Sequence, residues 1–229
     1  VPPNDWIAIG PSSEFADGHI AFVRVHDVEL AVWRDEVGAI NVWENRCPHR
    51  GVRLTIGTTT GASLTCRYHG WRFASGSGAC TFIPAHPTQT PPKAAVIRTY
   101  ARSEQHGFVW IALGDPSTVA PDAPDAPAAP PRVADLPASP DVVLRSVTID
   151  ASADAVRDAL ATVSVDGAPA HFFLQPESAE VTTVHGAIIV PVAIEQRLAL
   201  QHAYNDALTA LRDRFEAATS EAATSSVAS

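Results

Sequence analysis

Two short segments hold the residues whose types and spacing can do chemistry: Cys47-Pro48-His49-Arg50-Gly51 and Cys66-Arg67-Tyr68-His69-Gly70-Trp71. Each offers one thiol and one imidazole, as Cys-x-His and then Cys-x2-His, with sixteen residues between His49 and Cys66. A thiolate and an imidazole from each of two loops can serve two irons, both cysteines on one and both histidines on the other. The same four side chains also make a Cys2His2 zinc set, although zinc sites mostly use Cys-x2-Cys or His-x3-His spacing. Gly51 and Gly70 close the two segments, where a ligand loop needs a tight turn and room for amide N–H groups to approach. The third cysteine, in Ala79-Cys80-Thr81-Phe82, reads as a small buried hydrophobe.

The elements around these loops read as short strands. Ile20–Val25, Val28–Trp33, Val37–Trp43, Ser63–Cys66, Ala95–Tyr100 and Phe108–Leu113 are rich in β-branched and aromatic residues. Turn-rich stretches at Asp35–Gly38, Gly57–Gly61 and Ser75–Gly78 separate them. This predicts an antiparallel sandwich or small barrel over residues 1–114, with the ligand loops between strands. Residues 115–141 hold eight prolines among Ala and Asp, a composition that suits a semi-rigid linker and marks a domain boundary. Residues 142–218 alternate in type and predict a smaller α+β domain. A strand is expected at Val142–Ile149, then a helix capped by Ser152 with Asp154 in its first turn, running to about Val163. Strands follow at His171–Gln175, Ala179–Val184 and Ala187–Val190. After Pro191 a helix buries Leu200, Tyr204, Ala207, Leu208, Leu211 and Phe215 on one face. Residues 219–229, rich in Ser, Ala and Thr, are expected to fray as a flexible tail.

Composition narrows the classes. Of 229 residues, 46% are hydrophobic and five are Trp, which excludes disorder throughout. Three cysteines are too few and odd in number for a disulfide scaffold. No apolar run reaches the length of a membrane helix, and Val1–Gly10 is neither basic nor continuously apolar, so a cytoplasmic protein with no leader and no membrane partner is expected. The net charge of −9 is uneven: residues 45–103 contain no Asp or Glu but eight cations, leaving −17 on the rest. Nucleic acid is a poor partner for so acidic a chain. The cationic stretch instead suits the ligand loops, because thiolates cancel the charge of an oxidised diiron core and an added electron leaves a negative charge that arginines favour. It can also steer an acidic partner to the histidines. Arg50 and Arg67 lie nearest in sequence, although Arg67 can equally pair with a carboxylate elsewhere.

CPHRG followed by CRYHGWRF resembles the N-terminal Rieske 2Fe-2S domain of aromatic-ring-hydroxylating and related non-haem iron oxygenases. The resemblance implies a Rieske-type 2Fe-2S cluster held by Cys47, His49, Cys66 and His69. High-potential Rieske proteins add a disulfide between the loops and a Ser hydroxyl to a cluster sulfur. The corresponding positions here look like Val52, Tyr68 and Trp71, which implies a low-potential centre. The resemblance also implies that a helix-grip domain with mononuclear iron should follow, its helix carrying N/D-x2-D-x2-H-x4-H and a later carboxylate completing a facial triad. Ser152–Pro169 is similar in its surroundings, yet Asp158 falls on the first position, Ala161 on the bridging Asp, Ser164 on the first His and Pro169 on the second. The second half therefore reads as a truncated, degenerate oxygenase domain without mononuclear iron(II).

Three readings follow. In the first, the chain is a non-catalytic iron-sulfur component that passes electrons from a reductase or ferredoxin to a full-length oxygenase subunit in a hetero-oligomer. In the second, it is a compact active oxygenase hydroxylating or demethylating a small organic substrate, with His171, His185, His202 and Asp206 rebuilding an iron site. His202 and Asp206 stand at i, i+4 on one helix face. In the third, it is a structural partner whose cluster is redox-idle.

Overall fold

The computed structural model describes residues 6–114, 130, 133, 135–165 and 167–227. Four antiparallel sheets, two α-helices and two single-turn 3-10 helices make up the described fold. The first sheet orders β1 (Trp6–Pro11), β10 (Phe108–Ala112) and β9 (Ala101–Gln105), and the second orders β2 (Ile20–Val25), β3 (Val28–Arg34) and β4 (Ile40–Glu44). A third carries the short strands β5 (Thr58–Thr59), β6 (Ser63–Thr65), β7 (Arg72–Ala74) and β8 (Cys80–Phe82).

The alternation along β3 shows why these sheets stack. Leu30 and Val32 point into one apolar cluster with Ile7, Ile9, Val109 and Ile111 of the first sheet. Ala31 and Trp33 point the other way, to Leu64, Phe73 and both candidate ligand cysteines. A strand segment covered on both faces is buried continuously, so residues 30–33 within β3 read as an unbroken apolar run. Trp33 packs edge-on against Trp43 at 5.1 Å between centroids, under the third sheet. That sheet is pinned to β4 and to the turn before it by polar contacts: the Asn41 Oδ1 accepts the Gly76 N–H at 2.7 Å, and the Ser75 hydroxyl donates to Asp35 in the β3–β4 turn at 2.6 Å.

In the second half, β11 (Val147–Ile149), β13 (Thr182–Ile188) and β12 (Ala170–Pro176) form a sheet in that order. Val184 and Leu174 face α1 (Ala153–Leu160) and α2 (Ile194–Val227), packing with Val156, Leu208 and Leu211. The opposite face meets the first sheet, where Phe173 and Ala187 share a cluster with Ala8, Phe108, Trp110 and Leu136. The two halves are thus joined by a common core as well as by chain.

The expected fold class, a mainly β first half followed by a smaller α+β part, is what forms. Several elements differ in detail. Ala95–Tyr100 is not a strand but an irregular crossing that makes single bridges at Val96 and Thr99, because it passes from the third sheet towards the second. The two short strands expected at Ala179–Val184 and Ala187–Val190 are one, Thr182–Ile188, since Gly186 fits beneath Phe172 without a break. Of the proline-rich stretch, residues 115–129, 131, 132 and 134 lie outside the described residues, while Leu136 is buried in the shared core. The last helix continues through Thr219 to Val227, where fraying was expected.

Candidate metal centre

The two ligand loops are built alike. In the first, the Cys47 N–H donates to Val52 O and the Gly51 N–H returns to Cys47 O, both at 2.8 Å. In the second, the Cys66 N–H donates to Trp71 O at 2.9 Å and the Gly70 N–H returns to Cys66 O at 3.0 Å. Gly51 and Gly70 share φ = +69°, a left-handed conformation that a Cβ would strain, and at Gly70 an added Cβ would also sit 2.9 Å from Pro84. The sequence therefore repeats one turn twice and faces the two copies together.

Cys47 and Cys66 lie at 3% and 2% exposure beneath the surface. His49 is half-buried and His69 exposed, and their rings meet edge to face at 4.7 Å between centroids. Trp71 stacks on His49 at 4.5 Å and 6° between planes, and the exposed Tyr68 covers His69 at 3.9 Å. A small pocket opens among these residues, Arg50 and Val52. All four predicted site residues are thus brought to one place, thiols inside and imidazoles at the rim. The stacking of Trp71 on His49 was not foreseen from the motif, whose spacing carries no information on ring orientation.

The electrostatics fit a metal cluster. Burial, and then the adjoining Cys66 thiol, push the Cys47 thiol up to about 11, against amide donation from His49 and Arg50. Two buried thiols in contact become thiolates only when a cationic centre takes the charge. Desolvation, the neighbouring His69 and Arg50 hold His49 below the usual imidazole range, which favours the neutral, ligating form. Among the described residues no three His, Cys, Asp or Glu side chains converge on one point. The ligands sort by type, two thiols inside and two imidazoles at the rim, which is the division that two irons with unlike ligand pairs call for.

The second set of candidates is not gathered. His185 spends both nitrogens inside the protein, Nδ1 lying 2.8 Å from Ser146 Oγ and Nε2 2.8 Å from Gln175 Oε1. His171 packs on Phe173 on the same sheet face, and His202 is exposed on α2 beside a cleft lined by Glu14, Arg145 and Asn205. Arg67, for which a carboxylate partner was open, is exposed and has no ion pair among the described residues, and the same holds for Arg50. Cys80 is half-buried, its thiol facing Phe82 O at 3.6 Å.

This stack of small antiparallel sheets with two facing Cys/His turns defines a Rieske iron-sulfur domain. Residues 5–101 match the Rieske [2Fe-2S] domain family, so this part of the chain is a Rieske domain, and the chain is related to components of Rieske oxygenase systems. Over 93% of its length it is 34% identical to Oxidoreductase NdmD of Pseudomonas putida, of which it spans 40%. Over 41% of its length it is 43% identical to the toluene-4-sulfonate monooxygenase system iron-sulfur subunit TsaM1 of Comamonas testosteroni, spanning 26% of that protein. The chain thus covers less than half of either relative. In fold it is similar to Pseudomonas putida CBB5 NdmA with caffeine, with a TM-score of 0.67 at 17% identity over 93% of this chain and 82% of that one. It is likewise similar to dicamba monooxygenase with non-heme iron and dicamba, with a TM-score of 0.63 at 19% identity over 81% and 76%. No helix among the described residues is long and apolar enough to cross a membrane.

Proposed function

We propose that this chain is the electron-transferring iron-sulfur part of a non-haem iron oxygenase system, with Cys47, His49, Cys66 and His69 as cluster ligands and a second half that does no iron chemistry. The observation that carries the reading is the two matched turns, which put both thiols under the surface and both imidazoles at its rim. A bound 2Fe-2S cluster supplies one-electron chemistry. The residues of the chain do the rest. Cys47 and Cys66 hold their iron away from water, His49 and His69 face outward where a partner can approach, and Trp71 and Tyr68 fix the two rings. Arg50 and Arg67, exposed and unpaired among the described residues, offer positive charge to an acidic partner on the histidine side. A reductase or ferredoxin on one side, and a full-length oxygenase subunit in a hetero-oligomer on the other, are the partners this chemistry calls for, in the cytoplasm.

The second half is consistent with that role. The iron-helix pattern falls on Asp158, Ala161, Ser164 and Pro169, which lacks both histidines, and His185 is committed to Ser146 and Gln175. The test is stoichiometry with a spectrum. The purified chain should hold equal amounts of iron and acid-labile sulfide, give a Rieske EPR signal after dithionite, and turn over no substrate alone. Three irons for each pair of sulfides would favour a compact oxygenase instead, and a colourless zinc protein would end the electron-carrier reading.

A further inference from the structure

We propose that Glu29 is a positioning residue for the first ligand loop, clamping Arg46 and Arg53 at its two ends and balancing their charge beside the cluster. This rests on the reading of Cys47, His49, Cys66 and His69 as ligands.

Glu29 stands on β3, next to the hairpin tip, with only 14% of its side chain exposed. Arg53, one residue beyond the loop, grips it with both arms: Nε donates to Oε2 at 2.8 Å and Nη2 to Oε1 at 2.5 Å. Arg46, one residue before Cys47, places Nη2 3.8 Å from Oε2 and donates Nη1 to Gly51 O at 3.4 Å, inside the loop itself. Arg24 adds a third guanidinium at 3.9 Å. The backbone repeats the attachment, for the Asn45 N–H donates to Glu29 O at 2.9 Å, and Asn45 closes on Thr55 beyond the loop by two further bonds. The Arg53 hydrogen bond chiefly, with the charges of Arg53, Arg46 and Arg24, holds the Glu29 carboxyl below its ordinary range, so it is an anion at neutral pH.

The second loop has no such clamp. Arg67 meets no carboxylate among the described residues, and the loop is closed by the β6–β7 ladder, Thr65 opposite Arg72. Two similar turns are therefore held by different forces: the second by sheet pairing, the first by one carboxylate among three cations. Arg53 is exposed, but its two-armed grip on a largely covered carboxylate fixes the geometry that a single exposed contact would not. Loss of the carboxylate leaves three guanidinium groups together at the foot of the loop and uncompensated positive charge near the metal pair, which favours the reduced state.

The signs of the charges make the test sharp. In the full chain carrying its cluster, midpoint potentials are measured by EPR-monitored titration for Glu29→Gln, Arg53→Gln, the double variant and Glu29→Asp. Glu29→Gln should move the potential up and Arg53→Gln down. The double variant should return towards wild type, and Glu29→Asp, which keeps the charge, should stay close to it. Hydrogen exchange gives a second readout: amides of residues 46–53 should exchange about tenfold faster in Glu29→Gln, with residues 67–72 unchanged. Shifts of the same sign in both single variants, or no shift with the cluster intact, would overturn the proposal, because a merely structural role has no reason to reverse with charge. A wild-type chain that takes up no iron would instead sink the ligand reading, and the exchange comparison would still decide whether Glu29 clamps the loop.

Discussion

A histidine that is 2% exposed must settle its hydrogen bonds inside the protein, and His185 shows how completely this can be done. Gln175 Nε2 donates to Arg24 O at 2.9 Å, so its Oε1 is free to accept, and the neutral ring gives it the Nε2 proton. Nδ1 then accepts from the Ser146 hydroxyl. Burial drives the His185 pKa down to about 4. The unfolded chain binds that proton near its ordinary value while the folded one refuses it, so stability falls as pH drops from the unfolded value towards 4 and levels off below. By pH 5 this amounts to about 2 kcal/mol relative to pH 8. Glu14, raised chiefly by burial, binds its proton more readily when folded and offsets part of the loss near the acid end. Urea unfolding of wild type and His185→Gln at pH 8 and pH 5 isolates the histidine: the variant should lose about 2 kcal/mol less on acidification, and equal losses would refute the assignment. At this scale the sequence was legible where chemistry is local. Thiol and imidazole within three residues declare a ligand turn, whereas the Glu29 carboxylate meets Arg46 and Arg53 only after two strands have folded back, and no spacing announces that.

Among elements, the β2–β3 hairpin has the most to lose from its turn. His26 and Asp27 form a two-residue turn with φ of 46° and 63°, both in the left-handed region that L side chains resist, between paired Val25 and Val28. Neither residue is Asn or Gly, the pair that this turn favours. The tip is held because the His26 and Asp27 amides donate to Pro176 O and Glu177 O at 2.8 Å, tying the hairpin to the end of β12. The His26 Nε2 is buried with no partner among the described residues. Replacing His26-Asp27 by Asn-Gly keeps both backbone donors, removes the orphaned nitrogen and relieves the strain. A gain of about 1 kcal/mol, or roughly 2–4 °C in Tm, is expected in a thermal melt, and a lower Tm would mean that the His26 ring contributes packing the backbone argument ignores. The alternation in β2 and β3 made this hairpin readable from sequence. β1 was missed because Trp6–Pro11 mixes apolar residues with Gly10 and Pro11, which read as punctuation. Here Gly10 sits beside a register shift against β10. Ala95–Tyr100 failed in the opposite sense: strand-like composition was used to cross between sheets, which only tertiary packing reveals.

For the whole molecule the question is whether the two halves stand or fall together. Phe173 of β12 meets Phe108 at 5.1 Å and Trp110 at 4.9 Å between centroids, both edge to face, with Ala8, Ala187 and Leu136 around them. The Gln175 bond to Arg24 O and the hairpin tip add polar ties along the same seam. A seam of this composition resembles a core more than a docking contact, so one cooperative transition is expected. The chain carries its own reporters for the test. All five tryptophans lie in the first 110 residues, and the longest helix, Ile194–Val227, belongs to the second half. Tryptophan fluorescence and far-UV circular dichroism therefore watch different halves, and their urea transitions should coincide in wild type. Phe173→Ala removes a ring at 8% exposure from both sides of the seam at once and should cost about 3–5 kcal/mol, lowering the two transitions together or separating them. Two separate transitions already in wild type would show that the shared core does not couple the halves, and that Phe173 serves the second alone.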